Sequence, residues 1–228
     1  MLIDKRFEYP DVERVTLESG SRYYICPETD QKLVSVTTVL GATSDKDFSE
    51  WEARVGKKKA DQERKYGTDL GSLVHTHMEC HILNESRPGG NNLIRMEATR
   101  MADALIDRCL PGLERVWGIE TILYMPGLYA GTTDVVGIYK GKKAIMDFKT
   151  AKKLRKREDI DDYRDQLAAY MLAHNEKYGT DIDTGVIFMV SRSLECETFV
   201  YDPAEMKVGC DSFLNRVQRY YDEFTGFI

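Results

Sequence analysis

The chain has 228 residues, of which 42% are hydrophobic and 31% charged, and carries a formal net charge of −6. That length supports a buried core without disulfides or metals, and no apolar run approaches the ~20 residues needed to span a bilayer. Five dispersed cysteines (Cys26, Cys80, Cys109, Cys196, Cys210) form no CxxC pair, which points to a reducing compartment and argues against a zinc or iron–sulfur site built on clustered ligands.

In chain order, the opening MLIDKRFEYPDVERV carries acids and no apolar stretch, so it predicts neither a secretory signal nor a transit peptide. Residues 1–35 alternate short apolar runs with turn residues (Glu18 to Ser21, Pro27 to Asp30) and predict a β-hairpin or meander. Residues 36–110 predict a helical region. Ser44-Asp45-Lys46-Asp47 resembles a capping box, followed by Phe48, Trp51 and Val55 on one helical face. A long polar helix is expected from about Lys57 to Leu83, interrupted by Gly67 and Gly71. After a Pro-Gly-Gly-Asn loop, Leu93, Met96, Met101, Leu105 and Cys109 give helical spacing that ends at Pro111-Gly112.

The period then changes. Val116 to Tyr124, Ala130 to Tyr139 and Lys143 to Phe148 read as successive strands with turns at Gly127 and Gly141. A helix over 160–178 and two more strands, Gly185 to Val190 and Cys196 to Tyr201, complete a sheet region spanning 111–202. A closing helix occupies 203–228. The expectation is one α/β (α+β) domain, with a mixed central sheet flanked by helices and a helical N-terminal half arching over it.

Charge is unevenly placed. Residues 140–157, KGKKAIMDFKTAKKLRKR, hold nine Lys/Arg and one acid, which leaves the rest of the chain at −14. A solvated loop explains such a run when it stands alone. Here the same stretch contains Asp147 and Lys149, so a local anion site is the sharper expectation.

The chemistry-bearing pattern is Gly131-Thr132-Thr133-Asp134, then Asp147-Phe148-Lys149. Alternate strand residues share a face, so Asp147 and Lys149 project together. A hairpin near Gly141 would bring Asp134 beside them. Two carboxylates bind a hard cation, and an ammonium next to them offsets charge developing on phosphorus. D-x-K alone is a common surface ion pair; the preceding G-x-x-D at hairpin distance makes it more specific. Glu120 is a further carboxylate one strand earlier, equally readable as a solvent-facing glutamate. His75 and Glu79 share a helix face and could reach the metal, although His77 and His81 form a competing pair. Gln166 and Tyr170, also four apart, offer hydrogen bonds to a phosphate or base, and Tyr170 could stack on a base.

His75, Glu120, Asp134, Asp147-x-Lys149 and Gln166-x-x-x-Tyr170 occur in the order of the PD-(D/E)XK nucleases. The chain resembles their RecB-like exonuclease branch, and within it the mitochondrial genome maintenance exonuclease and its phage relatives. The shared stretches are Ser35 to Leu40, the Trp51 helix, Gly71 to His75 and Asp165 to Tyr170. The resemblance covers roughly residues 33–200. It implies a restriction-endonuclease-like fold and one or two Mg²⁺ or Mn²⁺ ions. The implied ligands are His75, Asp134, Asp147, the backbone carbonyl of Phe148 and Glu120. Lys149 would be the catalytic lysine, with Gln166 and Tyr170 orienting it and the substrate strand.

The implied activity is metal-dependent DNA exonuclease action, trimming single-stranded DNA from an end in replication, recombination or repair. Lys152, Lys153, Arg155, Lys156 and Arg157 would grip the flanking backbone. Arg54, Lys57, Lys58 and Lys59, with Arg64 and Lys65, would form a strand-guiding wall. A single-strand-binding or annealing protein is an expected partner. The expected setting is a bacterial cytoplasm or that of a phage-infected host. A structure-specific flap endonuclease, or a catalytically silent DNA-binding or recombination-accessory module on the same fold, is the alternative reading.

Overall fold

The computed structural model describes residues 1–17, 22–46 and 49–224, apart from the side chain of Trp51. The expected turn at Glu18 to Ser21, Asp47 and Phe48 of the capping-box segment, and the side chain of Trp51 lie outside the described residues.

The chain begins with β1 (Leu2–Ile3), β2 (Arg14–Thr16), β3 (Arg22–Ile25) and β4 (Lys32–Ser35). β2, β3 and β4 form an antiparallel meander. Ser35 then caps α1 (Val36–Ala42): its hydroxyl accepts the Thr38 backbone N–H at 3.0 Å, satisfying a donor that the first helical turn leaves free. α2 (Ser49–Val55) leads into α3 (Lys57–Leu83), which runs past Gly67 and Gly71 without the expected interruption. Each interior glycine costs about 1 kcal/mol relative to alanine. Burial of Leu70, Val74, Met78 and Ile82 at ~1.5–3 kcal/mol per side chain outweighs that cost.

After α4 (Leu93–Arg108) come three antiparallel strands, β5 (Leu113–Met125), β6 (Tyr129–Tyr139) and β7 (Lys142–Ala151). β6 turns into β7 through Lys140 and Gly141, at φ 47° and 76°. Two left-handed residues give the two-residue turn whose twist suits a hairpin. α5 (Asp161–Tyr178) crosses over to β8 (Thr184–Ser191), which lies parallel to β7 and is buried along its length, as expected of a strand covered on both faces. β9 (Cys196–Tyr201) pairs antiparallel with β8, and α6 (Pro203–Phe224) closes the fold.

The result is a mixed α/β architecture. Among the described residues nine strands form one sheet in the order β2-β3-β4-β6-β7-β8-β9, with β5 paired to β6 and β1 to β5. α3 and α4 cover one face, packing Val74, Met78, Met101 and Leu105 with Val135, Met146, Phe148 and Phe188. α1, α5 and α6 cover the other with Val39, Leu167 and Phe213 against Val136, Ile145 and Ile187. The helices of 36–110 are thus divided between the two faces. Among the described residues no helix is long and apolar enough to cross a membrane.

The sheet forks along one edge of β6. β5 takes the other edge from Met125 to Leu113. On the forked edge β4 pairs at Tyr129 and Ala130, and β7 pairs only from Val135 onward. Gly131 to Asp134 therefore face a gap where one strand partner has ended and the next has not begun.

Candidate active site

Met146 and Phe148 pack on the α3–α4 side and Ile145 on the α5 side. Asp147 and Lys149 alternate with Met146 and Phe148, so both project toward α5. Asp134, in the fork, cannot pair through its backbone with β7. Its Oδ2 instead accepts the Phe148 N–H at 2.7 Å, which ties the two strands where the ladder stops. Gly131 is required by the same crowding: a Cβ there would stand 2.8 Å from Tyr170 Cε1 and 3.2 Å from Val36 Cγ2. The glycine of G-x-x-D lets the Tyr170 ring close over the strand.

The side chains interlock. Lys149 Nζ lies 2.6 Å from Asp147 Oδ2 and donates to Gln166 Oε1 at 2.9 Å. Gln166 Nε2 donates to Asp147 Oδ1 at 3.3 Å and to the Tyr170 hydroxyl at 3.1 Å. α5 thus holds both ends of the Asp147–Lys149 pair through one amide. From α3, His75 Nδ1 approaches Asp134 Oδ1 at 3.3 Å, and its ring meets Phe148 edge-on. Glu120 lies on β5 between Ile119, which pairs with Val135, and Thr121, which pairs with Thr133. That register sets it opposite Asp134. Its φ of 46° is a strained left-handed conformation for a non-glycine residue. A cavity of about 560 Å³ opens over these groups, lined by His75, Glu79, Glu120, Asp134, Asp147 and Lys149 among others.

The charges are strongly coupled. Burial, then the neighbouring Asp134 charge, push Asp147 up to about 6. Partial desolvation at the cavity mouth, where the Glu120 side chain stays exposed, raises its carboxyl, and Asp134 adds to it, to about 7. Asp134 moves the other way. Burial opposes its ionisation, but His75, Lys149 and the Phe148 N–H together hold it below the usual carboxylate range. Burial disfavours the charged forms of His75 and Lys149; the facing aspartates overcome it, lifting His75 to about 9 and Lys149 above its ordinary value. Like charges crowded in a low-dielectric cleft are costly unless something neutralises them.

The donor set fits a divalent cation. Ligand atoms of His75, Glu120 and Asp134 all lie within 4.8 Å of one another. Two carboxylates with one imidazole make a ligand set for a divalent cation. Asp147 falls outside that trio, turned instead toward Lys149 and Gln166. Its buried Oδ2 is paired with the Lys149 ammonium at 2.6 Å.

Other expected residues fall differently. Tyr170 is 2% exposed, so its ring cannot stack on a base and serves as a packed support for Gln166. His77 does not compete with His75: it is buried between α3 and α4, with Arg87 Nε 3.2 Å from Nδ1 and Thr99 Oγ1 3.3 Å from Nε2. Arg157 is not a free grip for a backbone, because its guanidinium holds both Glu205 oxygens and the Val200 carbonyl. Lys152 faces Glu63 at 3.7 Å and Lys156 faces Glu158 at 3.4 Å. Lys153 and Arg155 are exposed, and Arg155 lies 5.8 Å from the centre of the Tyr163 ring that Lys149 also approaches at 4.9 Å.

Arg54, Lys57, Lys58 and Lys59 are exposed, and none lines the cavity. Arg64 is engaged by Glu52 and Asp61, and Lys65 by Asp69. The cavity has a wall the sequence reading missed: Arg14, Arg22, Tyr24 and Ser35 from the N-terminal meander. Short alternating strands carry no signal of which edge they will join.

The sequence matches no family model and no curated protein. Among solved structures, the chain is similar to an exonuclease candidate from Eubacterium rectale, at 14% identity and TM-score 0.44, over 69% of this chain and 68% of that one. A phage-related exonuclease from Haemophilus somnus aligns at 15% identity and TM-score 0.34, over 68% and 82% of the two chains. An alkaline exonuclease from Laribacter hongkongensis aligns at 11% identity and TM-score 0.33, over 71% and 96%. Identities this low speak only to chain path; the chemistry is carried by the side chains gathered at the fork.

Proposed function

We propose that this chain is a metal-dependent DNA exonuclease of the PD-(D/E)XK kind, on its RecB-like branch. The observation that carries the reading is the meeting of His75, Glu120, Asp134, Asp147 and Lys149 around one cavity at the split in the sheet. His75, Glu120 and Asp134 would hold a Mg²⁺ or Mn²⁺ ion, with Asp147 and the Phe148 carbonyl beside it. When bound, such an ion polarises a phosphoryl oxygen and makes its water a nucleophile at neutral pH.

The remaining work falls to the protein. Asp147 keeps Lys149 charged, and Gln166 fixes its direction. The ammonium then sits where it can orient the attacking water and stabilise negative charge growing on the phosphate. Tyr170, closed over Gly131, keeps Gln166 in place. His75 ligates only as the neutral imidazole, so loading the site releases a proton. Preference for single strands and attack from an end rest on the sequence resemblance, as do roles in replication, recombination or repair and a single-strand-binding or annealing partner.

The test is digestion of oligonucleotides labelled at either end, with Mg²⁺, Mn²⁺ or EDTA, beside a circular single strand. Release of labelled mononucleotides that needs the metal and spares the circle is expected. Asp147→Asn or Lys149→Ala should lower the rate by roughly 10²–10³-fold, the scale of losing a principal charge-stabilising group. Cutting of the circle would favour the endonuclease reading. Full activity in either variant would remove the assignment, and strand binding without hydrolysis in both metals would favour the silent module.

A further inference from the structure

We infer that Arg14 and Arg22 form a two-guanidinium clamp for internal phosphodiesters of the nucleic-acid strand, on the wall of the cavity that Lys149 also lines; this rests on the nuclease reading above. Arg14 is paired with Tyr24 and Thr16 with Arg22 across β2 and β3. Directly opposed residues and residues two apart share a face, so Arg14, Arg22 and Tyr24 project together. The direction of that face is fixed, because the buried Tyr24 places its hydroxyl 3.4 Å from Thr132 Oγ1, within the Gly131 to Asp134 stretch. The Arg22 backbone N–H also reaches Thr38 Oγ1 at 3.4 Å, which anchors β3 against α1.

The two side chains are exposed and line the same cavity as Asp147 and Lys149. Among the described residues neither makes an ion pair, whereas Arg64 and Arg192 nearby are held by acids. They are also the only guanidiniums in the described lining, which otherwise sets Glu79, Glu120, Asp134 and Asp147 against His75 and Lys149. A polyanion cannot enter so acidic a cleft without positive partners, and paired planar guanidiniums match phosphate oxygens bidentately. Their place on β2 and β3, outside the catalytic hairpin, makes them binding residues for the strand that leads into the site.

The experiment is a salt titration of binding to a fluorescein-labelled single strand in EDTA, read by polarisation. It compares wild type, the double variant Arg14→Gln/Arg22→Gln and the double variant Arg14→Lys/Arg22→Lys, each with 5′-phosphorylated and 5′-hydroxyl strands. Two lost contacts should flatten the slope of log K against log salt by about 1.4 and weaken binding on the order of tenfold at 0.1 M salt. The lysine pair should restore the slope, and both strands should respond alike. In Mg²⁺ the glutamine pair should raise KM with kcat held within about twofold.

An unchanged slope, no binding by wild type, failure of the lysine pair to restore the slope, or an effect confined to phosphorylated ends would overturn the clamp. The two readings separate cleanly. A wild type that shows the clamp's salt dependence but cuts nothing in either metal sinks the nuclease and leaves the clamp standing.

Discussion

Adding one methyl group at Gly131 should disable the site from behind. A Cβ at that position would meet Tyr170 Cε1 at 2.8 Å, its hydroxyl oxygen at 3.1 Å and Val36 Cγ2 at 3.2 Å. Carbon contacts are comfortable at about 3.5–4.0 Å, so the ring must retreat by roughly 0.7 Å or more. It has little room to do so: Tyr170 is 2% exposed, Val36 is fully buried, and the hydroxyl is tied to Gln166. Overpacking of this kind costs ~1–3 kcal/mol. The alanine recovers about 0.4–1 kcal/mol by restricting the unfolded chain.

A net loss of up to ~2.6 kcal/mol, at about 2–4 °C per kcal/mol for a chain of this size, lowers Tm by up to roughly 10 °C. Because the displaced ring supports Gln166 and through it Lys149, kcat should fall while KM holds. The assay is thermal unfolding with steady-state kinetics of Gly131→Ala in the wild-type and Tyr170→Leu backgrounds. The methyl should cost less once the ring is gone. A Tm above wild type, or an identical penalty in both backgrounds, would refute the packing argument.

Glu120→Gln should reshape pH dependence. A carboxyl whose folded pKa is raised to about 7 from 4.5 contributes stability that is present below 4.5 and lost as pH rises through 7. The metal-free variant should therefore have a higher Tm than wild type at pH 8 in EDTA, by differential scanning fluorimetry, and a smaller upward shift on adding Mn²⁺. A wild-type shift in the variant would take Glu120 out of the ligand set. Arg157→Ala removes a half-exposed pair with Glu205, so it should cost ~0.2–1 kcal/mol in urea unfolding. It should leave DNA affinity unchanged, while Arg155→Ala weakens it; equal losses of affinity would return Arg157 to the binding surface.

The hairpin was the legible part of the molecule. Strand alternation and the Lys140-Gly141 turn sufficed to set Asp134 beside Asp147, because register in a two-residue hairpin follows from local geometry. The helical period put Gln166 and Tyr170 on one face of α5, but only the family resemblance turned that face toward Lys149. Contacts made at long range were not legible. Nothing local says that Arg14 and Arg22 will line the same cavity as Lys149, since β2 and β3 reach it through β4 and the fork. Polar spacing alone could not distinguish His75 from His77 either; burial of His77 between α3 and α4 decides it. The unbroken run of α3 through two glycines likewise depends on a sheet surface that a reading of local propensity does not contain.

The fork along β6 has a consequence for how such a chain can change. One side of a single strand serves two unrelated neighbours in succession, the meander that walls the cavity and the hairpin that carries the acids and lysine. Neither neighbour is paired to the other. The segment before α1 can thus be lengthened, shortened or exchanged while the reacting groups keep their spacing. Substrate choice and bond breaking would then evolve as separable inheritances.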